Sequence, residues 1–351
     1  MDGKTLRVGI IGFGFAGTTF HAPLIRTTPG MTIAAVASSN APKVHAALGE
    51  DVQVHADPKA MIAQADVDLV VVASPNTTHY ELAALALDHG RHVVVDKPFT
   101  ATLQEAEDLA RRARANNVLL SVYHNRRWDS STRTAQRLLD ANLLGEVRHA
   151  SMYFDRFRPA PQARWKEDAD ALGGVWMDLG PHLLDEALLY FGMPEAIQAD
   201  IGRLRPGSRG DDAFDVRLRY GDGLRVDLGA SMLSAIPRPR LTLHGMRGSY
   251  AKQSLDPQEA MLKAGQLPGD PRMWGIDTEP GVLVTGRDGQ VEQSAMPTEN
   301  GAYPEYYRLV RDAILGVGPN PVPPEQAIRV MRLLDAGRRS SDEHREIGVA
   351  A

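Results

Sequence analysis

Short apolar runs that alternate with helical stretches dominate the first third of the chain. A run such as Leu69-Val70-Val71-Val72-Ala73 lacks polar alternation, which is typical of strands that are covered on both faces. The alternation of such strands with helices predicts βαβ units and a buried parallel sheet. A capping box, Thr102-Leu103-Gln104-Glu105, predicts an outer helix over Thr102–Asn116. The predicted strands are Leu6–Ile11, Thr32–Ala37, Leu69–Ser74, His92–Asp96 and Val118–Val122.

The pattern changes after about residue 125. From residue 214 to residue 220, apolar side chains alternate with charged ones, as in a half-buried antiparallel sheet. Gly221-Asp222-Gly223 and Asp288-Gly289 predict hairpin turns. Residues 253–281, rich in Pro, Gly and Asp, predict a long excursion, and Pro323–Arg339 predicts a closing helix.

The length of 351 residues favours two domains. We predict an α/β domain over residues 1–124, built on a Rossmann doubly wound parallel sheet. The second domain, residues 125–351, is predicted to be α+β and built on a mostly antiparallel open sheet. Its C-terminal helix is expected to pack back on the first domain.

Composition excludes several kinds of chemistry. The chain has no cysteine, and therefore no disulfide, thiolate nucleophile, iron–sulfur cluster or thiolate-bound zinc. Its 39 basic and 44 acidic side chains give a net charge of -5, without the basic excess needed for nucleic acid or an anionic membrane. No apolar run approaches the roughly 20 residues of a membrane span, and Val8–Ile11 lacks the flanks of a signal peptide. We expect a soluble, cytoplasmic protein whose partners are small molecules or proteins.

A glycine-rich segment, Gly12-Phe13-Gly14-Phe15-Ala16-Gly17, directly follows the first predicted strand. It opens into the apolar stretch Thr18–Ile25, so the backbone can turn tightly and approach a pyrophosphate at a helix N-terminus. The alternative is a glycine turn with only a structural role. The context of strand, turn and helix favours a dinucleotide site over this alternative.

The end of the second strand bears on which dinucleotide binds. NAD enzymes carry an Asp or Glu there, but this chain has Ala37-Ser38-Ser39-Asn40. No carboxylate repels a 2′-phosphate, and Lys43 supplies a positive charge. We therefore predict NADP (NADPH), bound with the help of Ser38, Ser39 and Lys43, with NAD as the alternative. In the competing interpretation, Ser38 only caps the following helix.

Two further segments end strands at the same edge of the sheet, where ligands of open α/β sheets bind. The first is Ser74-Pro75-Asn76-Thr77-Thr78-His79, which we expect to contact the cofactor. The alternative is that Asn76 is only a helix cap and His79 only a surface residue. Asp96-Lys97-Pro98 places a carboxylate and an ammonium beside the same ligand. A buried lysine there can hold a substrate oxygen, whereas most lysines are solvated. The cofactor candidates of these segments are Ser74, Pro75, Asn76, His79, Asp96 and Lys97.

The segment Asp178-Leu179-Gly180-Pro181-His182 carries a candidate base. Because Pro181 suits the first turn of a helix, we expect His182 in that turn and Asp178 in the entry loop. The helix dipole would then keep the imidazole neutral and able to accept a proton. The alternatives are a structural histidine and a zinc site, which is weaker because no third ligand is apparent nearby. We predict no metal.

The stretch Tyr123-His124-Asn125-Arg126-Arg127-Trp128-Asp129 leaves the fifth predicted strand at the same edge. His124 and Asn125 are candidates for facing the substrate, and Arg127 is either a substrate contact or an internal ion-pair partner. Weaker candidates lie in the second domain, where aromatic and arginine side chains often serve packing. These are Tyr153, Arg156, Arg164 and Trp165.

Together these residues resemble the Gfo/Idh/MocA family of nicotinamide-dependent oxidoreductases over nearly the whole chain. Its marks are the glycine segment, a Glu-Lys-Pro segment present here as Asp96-Lys97-Pro98, and an Asp-x-Gly-x-His segment present as Asp178 to His182. Within the family, the likeness is to NADP-dependent scyllo-inositol dehydrogenases, in which an arginine often stands where this chain has Ser39. The segments that carry this likeness are Phe20-His21-Ala22-Pro23-Leu24-Ile25, Leu120–Asp129, Arg164-Trp165, Trp274-Gly275, Asn300-Gly301 and Tyr306-Tyr307.

The resemblance implies transfer of a hydride between the nicotinamide and a secondary alcohol of a cyclitol or sugar. His182 would take the hydroxyl proton, Lys97 would stabilise the alkoxide, and Asp178 would bind a neighbouring hydroxyl or orient His182. A homodimer or homotetramer formed through the open sheet is also implied. The alternatives are a dehydrogenase of another aldose, keto-sugar or sugar acid, and a non-catalytic nucleotide-binding regulator.

Overall fold

The computed structural model describes residues 5–162, 167–270, 272–287 and 290–349. The chain forms two compact units. The first comprises the residues up to Asn125 together with Gln258–Trp274 and Ala302–Ile328. The second comprises Arg126–Pro257, Gly275–Gly301 and the residues from Arg329 onward. The predicted first domain, residues 1–124, does not include Gln258–Trp274 and Ala302–Ile328, which the structure assigns to the first unit.

A six-stranded parallel sheet forms the centre of the first unit. Its strands are β1 (Leu6–Ile11), β2 (Met31–Ala37), β3 (Gln53–His55), β4 (Leu69–Val72), β5 (His92–Val95) and β6 (Leu120–Val122). They follow the order β3-β2-β1-β4-β5-β6, and all neighbours are parallel. The predicted doubly wound parallel sheet is confirmed. The sequence does not reveal β3, because its three residues form no apolar run.

Seven α-helices lie entirely within the described part of the first unit, numbered along the whole chain. They are α1 (Ala22–Arg26), α2 (Ala41–Leu48), α3 (Pro58–Gln64), α4 (His79–Asp88), α5 (Leu103–Ala115), α8 (Gln258–Lys263) and α9 (Pro304–Ile314). The predicted capping box begins α5. The Thr102 hydroxyl accepts a hydrogen bond from the Glu105 N–H at 3.2 Å, and the Glu105 carboxylate accepts one from the Thr102 N–H at 3.1 Å. The side chains of β4 and most of those of β1 and β5 are buried, so the core of this unit follows the sheet.

A nine-stranded open sheet forms the second unit. Its strands are β7 (Val147–Tyr153), β8 (Ala196–Gly202), β9 (Ala213–Arg219), β10 (Arg225–Ser231), β11 (Leu241–Gly245), β12 (Gly248–Lys252), β13 (Gly281–Arg287), β14 (Gln290–Met296) and β15 (Ile347–Gly348). The order is β14-β13-β12-β11-β7-β10-β9-β8-β15. β7 and β10 are parallel, and the other neighbours are antiparallel, as predicted. Both predicted hairpins are present, although Asp288 and Gly289 of the second turn lie outside the described residues.

Helices α6 (Ser130–Asp140) and α7 (Val175–Phe191) belong to the second unit. Helix α10 (Pro324–Glu343) starts in the first unit and continues in the second from Arg329. α7 packs on one face of the sheet, where the Trp176 ring meets the Phe214 ring edge-on at 5.0 Å. The opposite face carries polar side chains around a cavity of about 320 Å³. Among the described helices, none is both long and apolar enough to cross a bilayer.

Candidate functional site

The glycine segment contains two glycines that the fold itself requires. A Cβ on Gly12, whose φ is +94°, would lie 2.5 Å from the Ala73 carbonyl oxygen. A Cβ on Gly17 would lie 2.2 Å from the Gly12 carbonyl oxygen. In contrast, a Cβ on Gly14 would meet no atom within 4 Å. The space beside Gly14 allows a pyrophosphate to approach the backbone, so this segment fits a dinucleotide.

The other residues of the segment lead into helical structure. Gly17–His21 form a turn of π-helix, which continues into α1, so the predicted context of strand, turn and helix is present. Phe13 is buried, whereas Phe15 is exposed. The Phe15 ring lies 5.5 Å from the Lys263 ammonium of α8, a residue of the excursion that the sequence does not connect with this segment.

The residues after β2 bring a positive charge to the glycine segment. The Lys43 ammonium donates a hydrogen bond to the Phe13 carbonyl oxygen at 2.9 Å. Positions 38 to 43 carry no carboxylate. The interpretation of Ser38 as the helix cap is wrong, because Asn40 begins α2 and its side chain accepts the bond from the Lys43 N–H at 3.0 Å. Ser38 instead accepts a hydrogen bond from the Asn40 N–H.

His79 connects the segments that follow β4 and β5. Its Nε2 lies 3.0 Å from the Ser74 carbonyl oxygen, and its Nδ1 lies 2.9 Å from the Pro98 carbonyl oxygen. The side chain is 1% exposed, so the alternative of a surface histidine is wrong. Burial lowers the pKa of His79, although the charge of Asp96 opposes this shift. His79 thus holds the two strand-end segments together from inside the unit.

The Asp96 carboxylate lies against the backbone of Lys97. Its Oδ1 accepts a hydrogen bond from the Lys97 N–H at 2.8 Å, and the Lys97–Pro98 peptide bond is cis. Burial opposes ionisation of Asp96, but the nearby imidazole of His21 and the charges of Lys97 and His79 lower its pKa to about 2. At neutral pH the carboxylate is therefore charged. Asp96 thus keeps the negative charge of the glutamate that the family usually has at this position, although its side chain is shorter.

The segment after β6 divides between the two units. His124 and Asn125 belong to the first unit and are buried. Arg127 belongs to the second unit and forms a two-pronged ion pair with Asp185 of α7, through Nε at 2.8 Å and Nη2 at 2.6 Å. Of the two interpretations of Arg127, the internal ion pair is the one that the structure contains.

The start of α7 corrects the expectation for Asp178 and His182. The helix begins at Val175, so Asp178 lies in its first turn, and Pro181 lies inside the helix. His182 is therefore not in the first turn, and the dipole argument for its neutral form does not hold. The cause is Asp211, whose carboxylate accepts a hydrogen bond from the Trp176 N–H at 2.6 Å and whose carbonyl oxygen accepts one from the Val175 N–H at 2.9 Å.

Asp178 and His182 share one face of α7, because they are four residues apart. His182 is 6% exposed, and its ring meets the Phe154 ring edge-on at 6.3 Å. Glu186 follows one turn later on the same face and forms a buried ion pair with Arg240. The Arg240 guanidinium lies 4.3 Å from the centre of the Phe154 ring. The candidate base is thus embedded in a packed polar and aromatic layer.

Tyr153 does not belong to this layer, so its prediction as a substrate residue is corrected. Its ring stacks on the Arg238 guanidinium at 3.9 Å and borders the cavity on the face opposite α7. Successive strand residues point to opposite faces, and the neighbour Phe154 is the one that meets His182. Arg156 is half-buried just beyond β7, where its N–H donates to the Ser231 carbonyl oxygen at 2.8 Å. Arg164 and Trp165 lie outside the described residues.

Sequence reasoning assigned no role to three residues that the structure connects with these segments. They are His21, Phe154 and Asp211. His21 lies inside a segment that carries the family likeness, which is a weak signal. Phe154 could have been found from the alternation of the strand, but Asp211 is 35 residues from the helix that it caps and has no local signal. Within the described part of the chain, no group of three or more His, Asp or Glu side chains is arranged to hold a metal.

Two family models match the chain. Residues 6–124 match the oxidoreductase family with an NAD-binding Rossmann fold, and residues 132–251 match the GFO/IDH/MocA C-terminal domain. The uncharacterized oxidoreductase YdgJ of Escherichia coli is 46% identical and covers 97% of both chains. The scyllo-inositol 2-dehydrogenase (NADP(+)) IolW of Bacillus subtilis is 36% identical over 98% of this chain and 96% of its own length.

A solved structure agrees with these relatives. The YPO2259 protein from Yersinia pestis superimposes with a TM-score of 0.94 at 45% identity, covering 99% of this chain and 98% of the other. The similarity therefore extends through both units rather than the nucleotide-binding unit alone. Three features of the chain agree with these matches: the glycine segment, the Asp96-Lys97 segment, and the pair of Asp178 and His182. The chain therefore belongs to the Gfo/Idh/MocA family of oxidoreductases.

Proposed function

We propose that this oxidoreductase uses NADP and acts on a secondary alcohol, or the corresponding ketone, of a cyclitol or sugar. The observation that carries the cofactor choice is the Lys43 ammonium, which is bonded to the Phe13 carbonyl oxygen of the glycine segment. Since no carboxylate lies between Ser38 and Lys43, nothing there disfavours a 2′-phosphate. Ser38 and Ser39 add hydroxyl groups to the same place.

The residues proposed to hold the cofactor lie at the carboxyl ends of the parallel strands. The nicotinamide, when bound, supplies the acceptor or donor of the hydride. The glycine segment offers backbone N–H groups to the pyrophosphate, and the segments after β4 and β5 border the nicotinamide half. The proposed cofactor residues are Gly12 to Gly17, Ser38, Ser39, Lys43, Ser74, Pro75, Asn76, His79, Asp96 and Lys97.

Three side chains are proposed to act on the substrate. In the oxidation direction, His182 accepts the proton of the substrate hydroxyl. Lys97 donates a charge-assisted hydrogen bond to the same oxygen and stabilises its developing negative charge. Asp178, one helical turn before His182, binds a neighbouring hydroxyl or orients the imidazole. His124, Asn125 and Arg156 remain proposed substrate contacts.

The substrate class rests on the likeness to IolW, whose name gives scyllo-inositol and NADP. Another aldose, keto-sugar or sugar acid is the second candidate, because the same set of side chains suits any secondary alcohol flanked by hydroxyls. We further propose a cytoplasmic homodimer or homotetramer that assembles through the open face of the nine-stranded sheet. Membership of an oxidoreductase family favours an enzyme over a non-catalytic regulator.

The cofactor choice is tested by fluorescence titration of the purified protein with NADPH and NADH. We expect tighter binding of NADPH. Lys43→Ala should weaken NADPH binding by about 10- to 100-fold, as expected for loss of one charge-assisted hydrogen bond, and should leave NADH binding nearly unchanged. Lys59→Ala is the matched control, because Lys59 of α3 is ion-paired with Glu81 at 2.5 Å. Equal or tighter binding of NADH by the wild type would refute the proposal.

The substrate class is tested by following the absorbance of the nicotinamide with a panel of inositols, inososes and aldoses. Turnover of a cyclitol or its ketone supports the proposed class. Turnover of an aldose alone moves the assignment to the second candidate. Tight cofactor binding without any turnover across the panel contradicts a cyclitol or aldose dehydrogenase and favours the regulator.

A further inference from the structure

His21 is a buried histidine of the first unit to which the proposed chemistry assigns no role. It ends the π-helical turn after the glycine segment, and its side chain is 0% exposed. Nδ1 lies 2.6 Å from the Tyr307 hydroxyl, and the ring lies 4.4 Å from the Tyr123 ring. Nε2 lies 3.9 Å from Oδ2 of Asp96. Each ring nitrogen thus faces a different polar group.

The Tyr307 side of this arrangement consists of buried, packed tyrosines. The Tyr306 hydroxyl donates a hydrogen bond to the Ser121 hydroxyl at 2.9 Å, and the Tyr306 ring packs edge-on against Tyr123 at 4.9 Å. Burial raises the pKa of Tyr307 well above its ordinary value, so its hydroxyl stays protonated and available to His21. The imidazole is therefore held from one side by a packed aromatic cluster, defined as Tyr123, Tyr306 and Tyr307.

The other side of the imidazole points toward the Lys97 segment. Asp96 uses its two oxygens differently: Oδ1 accepts the Lys97 N–H at 2.8 Å, and Oδ2 faces His21 Nε2. Rotation of this carboxylate would break the bond to Lys97 or move Oδ2 away from His21. A histidine that restrains Oδ2 therefore also restrains the backbone from which the Lys97 ammonium extends.

We propose that His21 is a positioning residue, which holds Asp96 between the aromatic cluster and the Lys97 N–H and so fixes the place of the Lys97 ammonium. This inference rests on the proposed role of Lys97 at the substrate oxygen. It accounts for an imidazole that faces a hydroxyl on one side and a carboxylate on the other. The lowered pKa of Asp96, to which His21 contributes, agrees with this contact.

Two substitutions separate the two sides of the imidazole. In His21→Asn the amide can reach only the position of Nδ1, so the contact with Tyr307 is kept and that with Asp96 is lost. In His21→Gln the longer side chain places a donor near the position of Nε2. His89→Asn is the matched control for the asparagine, because His89 is exposed at the end of α4. NADPH titration and thermal unfolding establish that each variant is folded.

The first measurement does not depend on turnover. The ¹³Cε resonance of Lys97 is assigned by its disappearance in Lys97→Met and is then recorded in the full-length variants. We expect His21→Asn to shift or broaden this resonance, while His21→Gln and His89→Asn retain the wild-type spectrum. An unchanged Lys97 resonance in a folded His21→Asn protein overturns the inference. If His21→Asn does not fold, Tyr307→Phe replaces it, because this variant removes the hydroxyl that holds His21 Nδ1 and leaves Asp96 and Lys97 unchanged. An unchanged Lys97 resonance in Tyr307→Phe likewise overturns the inference.

The second measurement is steady-state turnover of scyllo-inositol with saturating NADP. Misplacement of a group that stabilises the transition state lowers kcat by roughly 10- to 100-fold, so we expect a loss of that order in His21→Asn. NADPH affinity should stay within about 3-fold, because this substitution leaves the glycine segment intact. Wild-type kcat in His21→Asn, together with inactive Lys97→Met, overturns the inference but leaves the proposed function standing. Full activity of Lys97→Met refutes the proposed role of Lys97, whatever the resonance of His21→Asn shows.

Discussion

Among the individual residues, Asp96 links protonation to stability. Burial would raise its pKa, yet the nearby imidazole of His21, with the charges of Lys97 and His79, lowers it from 3.8 to about 2. The folded protein therefore binds this proton more weakly than the unfolded chain does. The ionised carboxylate stabilises the fold by about 2 kcal/mol above pH ~4, and this contribution is lost as the pH falls through about 2.

Asp96→Asn should remove this dependence on pH. At about pH 6 we expect the free energy of unfolding in urea to be about 2 kcal/mol lower in the variant, and the difference should halve near pH 3 and almost vanish near pH 2. Asp51→Asn is the control, because Asp51 is exposed. A difference between wild type and Asp96→Asn that stays constant over this range of pH would contradict the argument.

The element that carries the candidate base depends on a distant residue for its start. Gly174, with φ +106°, precedes α7, and a Cβ there would lie 2.7 Å from a carboxylate oxygen of Asp211. Asp211 accepts hydrogen bonds from the first N–H groups of the helix and pairs with Arg338 of α10 at 2.8 Å. The start of the helix that carries Asp178 and His182 is therefore anchored by a residue outside the helix.

Loss of this anchor should be measurable as a loss of stability. Asp211→Ala is expected to lower the free energy of unfolding by about 1–2 kcal/mol, the usual cost of removing a helix cap. Asp211→Asn keeps an acceptor oxygen for the Trp176 N–H and should lose less. Thermal unfolding of both variants checks this order, and equal stability of Asp211→Ala and wild type would show that the cap is dispensable.

Across the whole molecule, the sequence predicts best what depends on local pattern. The parallel strands other than β3, the capping box at Thr102 and the alternation along β9 follow from neighbouring residues, and the structure contains them. The start of α7 does not, because its cap comes from Asp211. The sequence names Tyr153 as a candidate without indicating its face of the sheet, since a shift of one residue in a strand reverses the direction of the side chain. Contacts such as that of His21 with Tyr307 join distant parts of the chain and have no local signature.

The proposed assembly through the open sheet face is also a property of the whole molecule. Arg217 on this face pairs with Asp227 at 2.8 Å, and Asp200 and Asp215 border the same cavity. Arg217→Glu would gather like charges there, so we expect sedimentation velocity to show smaller particles than for the wild type, with unchanged far-UV circular dichroism. Arg339→Glu, at an exposed position of helix α10, is the control. A monomeric wild type would refute the assembly.

The glycine segment has a consequence for how such a protein can diverge. Gly12 and Gly17 are fixed by the backbone around them, so a change at either position would be lost through misfolding before any new ligand could be sampled. Gly14 faces open space and is under no such restriction from the fold. It is therefore the position in the segment at which a side chain can close the approach of a pyrophosphate, so that descendants abandon the dinucleotide while they inherit the same architecture.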